Sequence, residues 1–399
     1  MDYYTMDDFD FSGKRVLVRT NFDVPVDDNG NITDDRRIML SVPTIRYLLE
    51  KNASKIIIMF HMGRPKGRVP ELSTTKVASR LAEMMGIDVA KVDSWGENGL
   101  PEARVIMLEN VRFNAFEKSK DEAERDSFGK QLAGLADIFV MDAFSNMHHA
   151  EQASMTGAMK YLPSCLGIGS KKEIDMISRA IENPERPFVS IIGGLKAEKL
   201  NAVHNLLKKV DRILVAGALA FTVQKAMGYE MGDSKIDSEG LTHVQEIVTE
   251  LKDNPKVILP SDAVIADRFD ELAESEVVAI DSVRPGWMAL DIGPATVGSF
   301  RSELLCAKTI IWNGPIGVFE FEKFSKGTRE IAATLAEAVS CGACVIVGGG
   351  DSADVIDKLK LEDKVTFVSS GGGASLLMFE GKTLPTMDHL VRNKQAFAR

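Results

Sequence analysis

Cysteine is scarce in this chain. The four present, Cys165, Cys306, Cys341 and Cys344, supply no disulfide framework and fit a reduced, cytoplasmic compartment. Cys341 and Cys344 do form a C-x-x-C, but a zinc site needs two further ligands and no second pair exists. A redox motif would sit at a helix start, whereas Cys344 opens a strand, so both read as core or loop thiols. Long apolar runs are missing too: nothing approaches the ~20 residues of a membrane span. The acidic start, MDYYTMDDFD, lacks the charged-then-apolar order of a signal peptide. Positive charge is in deficit, with 48 Lys and Arg against 58 Asp and Glu and a net charge of −10, which argues against nucleic acid or anionic membrane as partners. Two nucleotide fingerprints are also absent. There is no Walker GxxxxGK[ST]. The nearest approach to a dinucleotide turn, Gly348, Gly350 and Ala353, precedes a strand ending in Ser369-Ser370, not in the acid that would hold a ribose. A nicotinamide enzyme and an ordinary P-loop NTPase are both disfavoured.

What is present is an α/β chain long enough, at 399 residues with 45% hydrophobic, for two domains. Apolar strand patterns alternate with helical ones roughly every 35 to 50 residues in the first half, the rhythm of a parallel sheet. Predicted strands there are Arg15–Arg19, Lys55–Phe60, Arg104–Glu109 and Ile138–Met141. Their ends share a chemical bias. The first runs into Thr20-Asn21-Phe22-Asp23-Val24-Pro25; Asn21 and Asp23 are two apart, so in extended chain they face one way. The second runs into His61-Met62-Gly63-Arg64-Pro65. The third brings Arg112, and the fourth Asp142, His148 and His149. Ser41 and Pro43 predict a helix start, with Arg36 and Arg37 just ahead of it, where a cation opposes the helix dipole unless an anion is near. In an acidic protein, Arg or His at three of four strand ends predicts an anion pocket at the carboxyl edge of the sheet.

The segment 171–185 predicts a helix joining two domains, ended by Asn183-Pro184. The rhythm then restarts with a different bias. Strand Phe188–Ile192 leads to Gly193-Gly194, with Lys196 and Lys199 close behind at a helix start, a phosphate grip. Strand Ile213–Ala216 leads to Gly217, Val257–Leu259 to Pro260-Ser261-Asp262, Met288–Ile292 to Gly293, and Thr309–Trp312 to Asn313-Gly314-Pro315. Strand Cys344–Val347 enters Gly348-Gly349-Gly350-Asp351-Ser352, and Val365–Val368 precedes a second glycine triplet, 371–373. Glycine lets backbone approach a ligand and offer bare N–H groups, and a helix N-terminus favours phosphate. Asp351 makes sense there if a magnesium ion bridges carboxylate and phosphate. The expected fold is therefore α/β: two doubly wound, Rossmann-like parallel-sheet domains, one edge cationic and the other glycine-rich.

These residues resemble the phosphoglycerate kinase family over nearly the whole chain, through HMGRP at 61–65, ENVRF at 109–113, DAF at 142–144, WNGPIGVFE at 312–320, GGGDSAD at 348–354, SGGGASL at 370–376 and EGKTLP at 380–385. The resemblance implies two domains facing across a cleft that closes by a hinge. An acid-substrate domain would span 1–170, an interdomain helix 171–185, a MgATP/MgADP domain 186–382, and a segment returning to the first domain 383–399. It implies a monomeric, cytoplasmic, glycolytic kinase that transfers phosphoryl between ATP and the carboxylate of 3-phosphoglycerate. Arg37 and Lys196 would be catalytic, contacting the migrating group from the two sides. Asn21, Phe22, Asp23, Arg37, His61, Arg64, Arg112 and His149 would meet the acid. Gly194, Lys196, Lys199, Gly217, Gly293, Asn313, Glu320, Gly349, Gly350, Asp351 and Ser352 would meet the nucleotide, with Asp351 on magnesium.

The chain departs from the family pattern mainly on the acid side. The family's R-x-D-x-N-x-P reads Arg19-Thr20-Asn21-Phe22-Asp23-Val24-Pro25, so Asp and Asn have exchanged places. His149 stands where the family has arginine, and histidine is neither always charged nor bidentate; Arg36 is the candidate to compensate. Phe60 stands where serine is common. Lys196 and Lys199 are three apart instead of four, and Ser370 replaces a common threonine. These departures keep two alternatives open: a same-fold kinase acting on another small anionic carboxylic acid, and a non-catalytic MgATP-binding regulatory protein.

Overall fold

A computed structural model describes residues 2–27, 30–94, 99–196 and 199–398. The chain divides into two compact units, Met1–Asp175 with Thr383–Arg399, and Met176–Lys382. The boundary falls inside helix Ile168–Glu182, which begins three residues before the segment expected from sequence and buries Ile174, Ile177 and Ile181.

The first unit is built on β1 (Arg15–Thr20), β2 (Lys55–Met59), β3 (Ala90–Val92), β4 (Val105–Leu108), β5 (Ile138–Asp142) and β6 (Ser164–Leu166), in the order β3-β4-β2-β1-β5-β6. Every pairing is parallel. Strands 2, 4 and 5 are apolar almost throughout because both faces of a parallel sheet are covered. The chain winds outward from β1 in one direction and returns to the other side at β5, making β1/β5 the switch point where ligands bind in such sheets. The three-residue edge strands β3 and β6 escaped the sequence reading; they are too short to show a period. The first long helix runs Arg36–Glu50 and so starts before the expected Ser41, with Pro43 inside it. Pro43 is its eighth residue, beyond the four N–H groups that lack intrahelical partners, so the Met39 carbonyl receives no helical N–H there. Helix Pro385–Ala396 packs on this unit. Its buried Asn393 accepts from Ser164 N at 2.8 Å and donates to the carbonyls of Met159 at 2.6 Å and Leu162 at 2.8 Å.

The second unit holds β7 (Phe188–Ile192), β8 (Arg212–Val215), β9 (Val257–Ile258), β10 (Asp262–Ala266), β11 (Ser275–Ala279), β12 (Met288–Ile292), β13 (Thr309–Asn313), β14 (Cys344–Gly348) and β15 (Phe367–Val368). Six of them form a second all-parallel sheet, β15-β14-β13-β7-β8-β9, whose switch point lies between β7 and β13. The strand at 288–292 does not continue the parallel rhythm as expected. It pairs antiparallel with β10, which also pairs antiparallel with β11, in a separate three-stranded sheet. An apolar five-residue run does not encode its partner or direction. Cores lie on the two parallel sheets, around Phe22, Phe60 and Val140 in the first unit and around Trp312, Phe300 and Ile331 in the second. All four cysteines are free.

Candidate active site

In the first unit the carboxyl edge of the sheet gathers the residues singled out in sequence around a buried histidine. Arg19, the fifth residue of β1, is fully buried. It donates from Nε to Ser154 Oγ at 3.0 Å, from Nη1 to the Thr20 carbonyl, and from Nη2 to His61 Nδ1 at 2.8 Å. A guanidinium can only donate, so His61 Nδ1 accepts and the ring proton sits on Nε2, which lies 3.7 Å from Asp23 Oδ2. Burial, then the positive fields of Arg19, Arg112, Arg37 and His149, hold the His61 pKa far below its ordinary value. His61 is thus held as a neutral donor. The Arg19 charge is balanced within the protein by buried Glu117, whose carboxylate accepts from Ser154 N at 2.8 Å and Ser154 Oγ at 2.6 Å. Burial pulls the Arg19 guanidinium down to about 10, with Glu117 opposing.

Asp23 Oδ1 accepts from Gly63 N at 2.8 Å, and its backbone carbonyl accepts from Arg37 Nη1. The exchanged aspartate thereby ties the first strand's loop to the HMGRP turn. Asn21 is buried beside it. Arg112 donates from Nη1 to Gly63 O at 2.5 Å, while its buried Nε has no partner. His149 stacks on His148 with ring centroids 3.8 Å apart and lies 3.3 Å from Glu151 Oε1. Burial, ahead of a raising effect from Glu151 and lowering effects from Lys118 and Arg112, holds its pKa below the ordinary value. His148 is pulled down to about 4, chiefly by burial.

Two expectations on this side need correction. Phe22 is fully buried, edge-on to Phe60 at 5.3 Å, so its side chain belongs to the core and only its backbone can face a substrate. Phe60 in place of serine is the other half of that contact. Arg36 is held by Asp34, with Nε to Oδ2 at 2.7 Å and Nη2 to Oδ2 at 2.6 Å, which explains the cation at the helix start by a protein carboxylate.

In the second unit the loops after β7 and β13 close on each other at the switch point. Gly193 N donates to Asn313 O at 2.8 Å and Gly194 N to Pro315 O at 2.9 Å. A Cβ on Gly193 would stand 2.2 Å from the Pro315 carbonyl oxygen, so only glycine permits this approach. Lys199 opens helix Lys199–Leu207 and turns back under the turn, donating to Gly193 O at 2.9 Å and Asn313 Oδ1 at 3.2 Å. Burial pulls its pKa down and Asp351 opposes the shift. With Oδ1 assigned to Lys199, the buried Asn313 Nδ2 has no acceptor. Gly349, with φ of 98°, caps helix Gly350–Lys358, whose first turn carries Asp351. Lys196 is exposed; residues 197 and 198, between the two lysines, lie outside the described residues.

The sequence and fold of this chain are matched by known proteins. A family model described as phosphoglycerate kinase covers residues 6–382. The chain belongs to the phosphoglycerate kinase family. It is 44% identical over 391 residues to cytosolic phosphoglycerate kinase 3 of Arabidopsis thaliana, covering 96% of each chain. It is 46% identical over 387 residues to the phosphoglycerate kinase of Dictyoglomus turgidum, covering 95% of this chain and 96% of that one. Among solved structures, it matches the Coxiella burnetii phosphoglycerate kinase with a TM-score of 0.83 at 37% identity over 98% of this chain and 99% of that one. The Pyrococcus horikoshii enzyme gives 0.85 at 31% over 99% and 100%.

Within this family fold, the structure brings Gly193, Gly194, Lys199, Gly217, Asn313, Gly349 and Ser352 together around the β7/β13 switch point. Ser352 is fully buried, and its Oγ accepts from Gly314 N at 2.7 Å, so its side chain supports the turn after β13. Gly293 follows β12 of the antiparallel sheet and packs on Asp262, its N–H donating to the Asp262 carbonyl at 3.1 Å. Glu320 is exposed on the turn after β13. Sequence reasoning overlooked Arg19 and Glu117. An arginine in an otherwise apolar strand, RVLVR, was the available signal for Arg19; Glu117 had none. It also overlooked Asp291, whose buried carboxylate accepts from Gly327 N at 2.7 Å and Ile292 N at 3.0 Å and is pushed up to about 7, chiefly by burial.

Proposed function

We propose that this phosphotransferase moves a phosphoryl group reversibly between ATP and the carboxylate of 3-phosphoglycerate, giving ADP and 1,3-bisphosphoglycerate, as a monomer in the cytoplasm. The observation that carries the reading is the β7/β13 turn: a half-buried lysine, an amide nitrogen without an acceptor and a helix N-terminus meet where glycine lets backbone approach a ligand. A carboxylate is already anionic, so the reaction needs no base to make the nucleophile. It needs two like-charged groups held in line and the charge of the migrating phosphoryl neutralised. In this reading Arg37 approaches that group from the acid side and Lys196 from the nucleotide side. Arg64, Arg112 and neutral His61, donating from Nε2, orient the acid and its phosphate. Lys199 and Asn313 Nδ2 hold the nucleotide.

Among the described residues no cluster of three or more His, Cys, Asp or Glu could cage a metal. Asp351, one carboxylate in the first turn of helix Gly350–Lys358, suits magnesium that takes most of its ligands from phosphates and water. When bound there, the ion would supply neutralisation of phosphate charge. Because acid and nucleotide are assigned to different units, transfer also requires a closure that brings them together and excludes water. The test is ATP-dependent acyl phosphate formation with 3-phosphoglycerate, beside 2-phosphoglycerate and glycerate. Saturable turnover favouring 3-phosphoglycerate is expected. Stronger turnover on another acid would overturn the substrate, and MgATP binding without turnover on any acid would overturn the activity.

A further inference from the structure

A groove of about 300 Å³ opens in the first unit beside the HMGRP turn. Its lining includes Arg64, Lys66, Arg112, Asn114, Glu117 and Lys118. Glu117 is the one acid among these; its carboxylate is fully buried and bonded inward to Ser154, and its field reaches Arg112. Four cations thus face one small space in a protein of net charge −10. Arg112 keeps a buried Nε without a partner there. His149 feels both Arg112 and Lys118 as repelling charges, which places Lys118 on the same side as the stacked histidines. Those fields and burial favour the neutral His149 ring, which cannot grip a dianion by charge. Arg36 is committed to Asp34. Lys118 itself is exposed, with no carboxylate bonded to it among the described residues.

We propose that Lys118 is a substrate-binding residue that, with Arg112 and Arg64, grips the phosphate end of the acid substrate, supplying the charge that the imidazole at position 149 does not. The inference rests on the functional reading above and deepens it. A lysine acts here as a flexible point charge, whereas the fork of Arg112 sets direction. Its ammonium would strengthen ground-state and transition-state binding alike, so its loss should appear in KM and leave kcat nearly unchanged.

The test compares wild type, Lys118→Met and Lys118→Arg. Lys118→Met should raise the KM for 3-phosphoglycerate about tenfold, the scale of one charge-assisted contact at a partly open site. The KM for MgATP and kcat should stay within about twofold, and Lys118→Arg should recover most of the loss. Titration with inorganic phosphate should show the same weakening in Lys118→Met without any turnover. An unchanged KM and phosphate affinity in Lys118→Met would overturn the proposal, as would equal damage in Lys118→Arg or a matching rise in the MgATP KM. Absence of turnover on 3-phosphoglycerate by the wild type would overturn the substrate assignment alone, because the phosphate titration still decides the role of Lys118.

Discussion

The protonation state of His61 makes a prediction about stability. The ring is buried, receives a hydrogen bond from Arg19 and lies among positive charges, so in the native protein it stays neutral well below its ordinary pKa of about 6.5. In the unfolded chain it protonates near that value. Below about pH 6.5 the unfolded state therefore binds one proton more than the native state at this site, and stability falls as pH falls. The size follows from linkage: the single site contributes almost nothing at pH 7.5 and about 1.4 kcal/mol of destabilisation at pH 5.5. His61→Gln isolates it, since glutamine offers Arg19 an acceptor and keeps an N–H2 donor but does not titrate. Urea unfolding followed in the first unit at pH 7.5 and 5.5 should show the wild type losing about 1.4 kcal/mol more than the variant. NMR of the ring should show no titration of His61 between pH 5 and 8. Parallel pH dependences, or a titrating His61 resonance in that window, would refute the neutral, Arg19-bound ring.

Three further outcomes are expected. Lys196→Ala should lower kcat by about 10³ or more, the scale of removing a charge from a developing transition state, with little change in Tm because the side chain is exposed; undiminished turnover would remove it from the reaction. Ser352→Ala should leave the Gly314 N–H without its acceptor and cost roughly 1–3 kcal/mol, seen as a lower midpoint in urea, and an unchanged midpoint would mean the hydroxyl does not support that turn. Gly193→Ala places a methyl 2.2 Å from Pro315 O, forcing a backbone shift of about 1–3 kcal/mol and a raised KM for MgATP; normal nucleotide kinetics would show that the β7/β13 approach is dispensable.

Apart from the three-residue edge strands β3 and β6, the strand positions of both parallel sheets were legible because each is a short apolar run followed by a turn, and such runs reflect burial on both faces wherever they lie. The glycine turns were legible for a similar reason: close backbone approach excludes any larger residue, and Gly193 and Gly217 sit against the Pro315 carbonyl oxygen. The motif strings also determined the family. Tertiary structure decided what depends on partners distant in the chain. It placed 288–292 in an antiparallel sheet, since an apolar pentapeptide does not specify its neighbour. It started the first helix at Arg36 because Asp34 neutralises that residue. It took Phe22 into the core by setting Phe60 against it, and it spent the Ser352 hydroxyl on Gly314, 38 residues away. Above all it settled the charge of His61. Residue type makes histidine a candidate cation, but its protonation follows from burial and from a guanidinium 42 residues distant in sequence, and no local pattern carries that information.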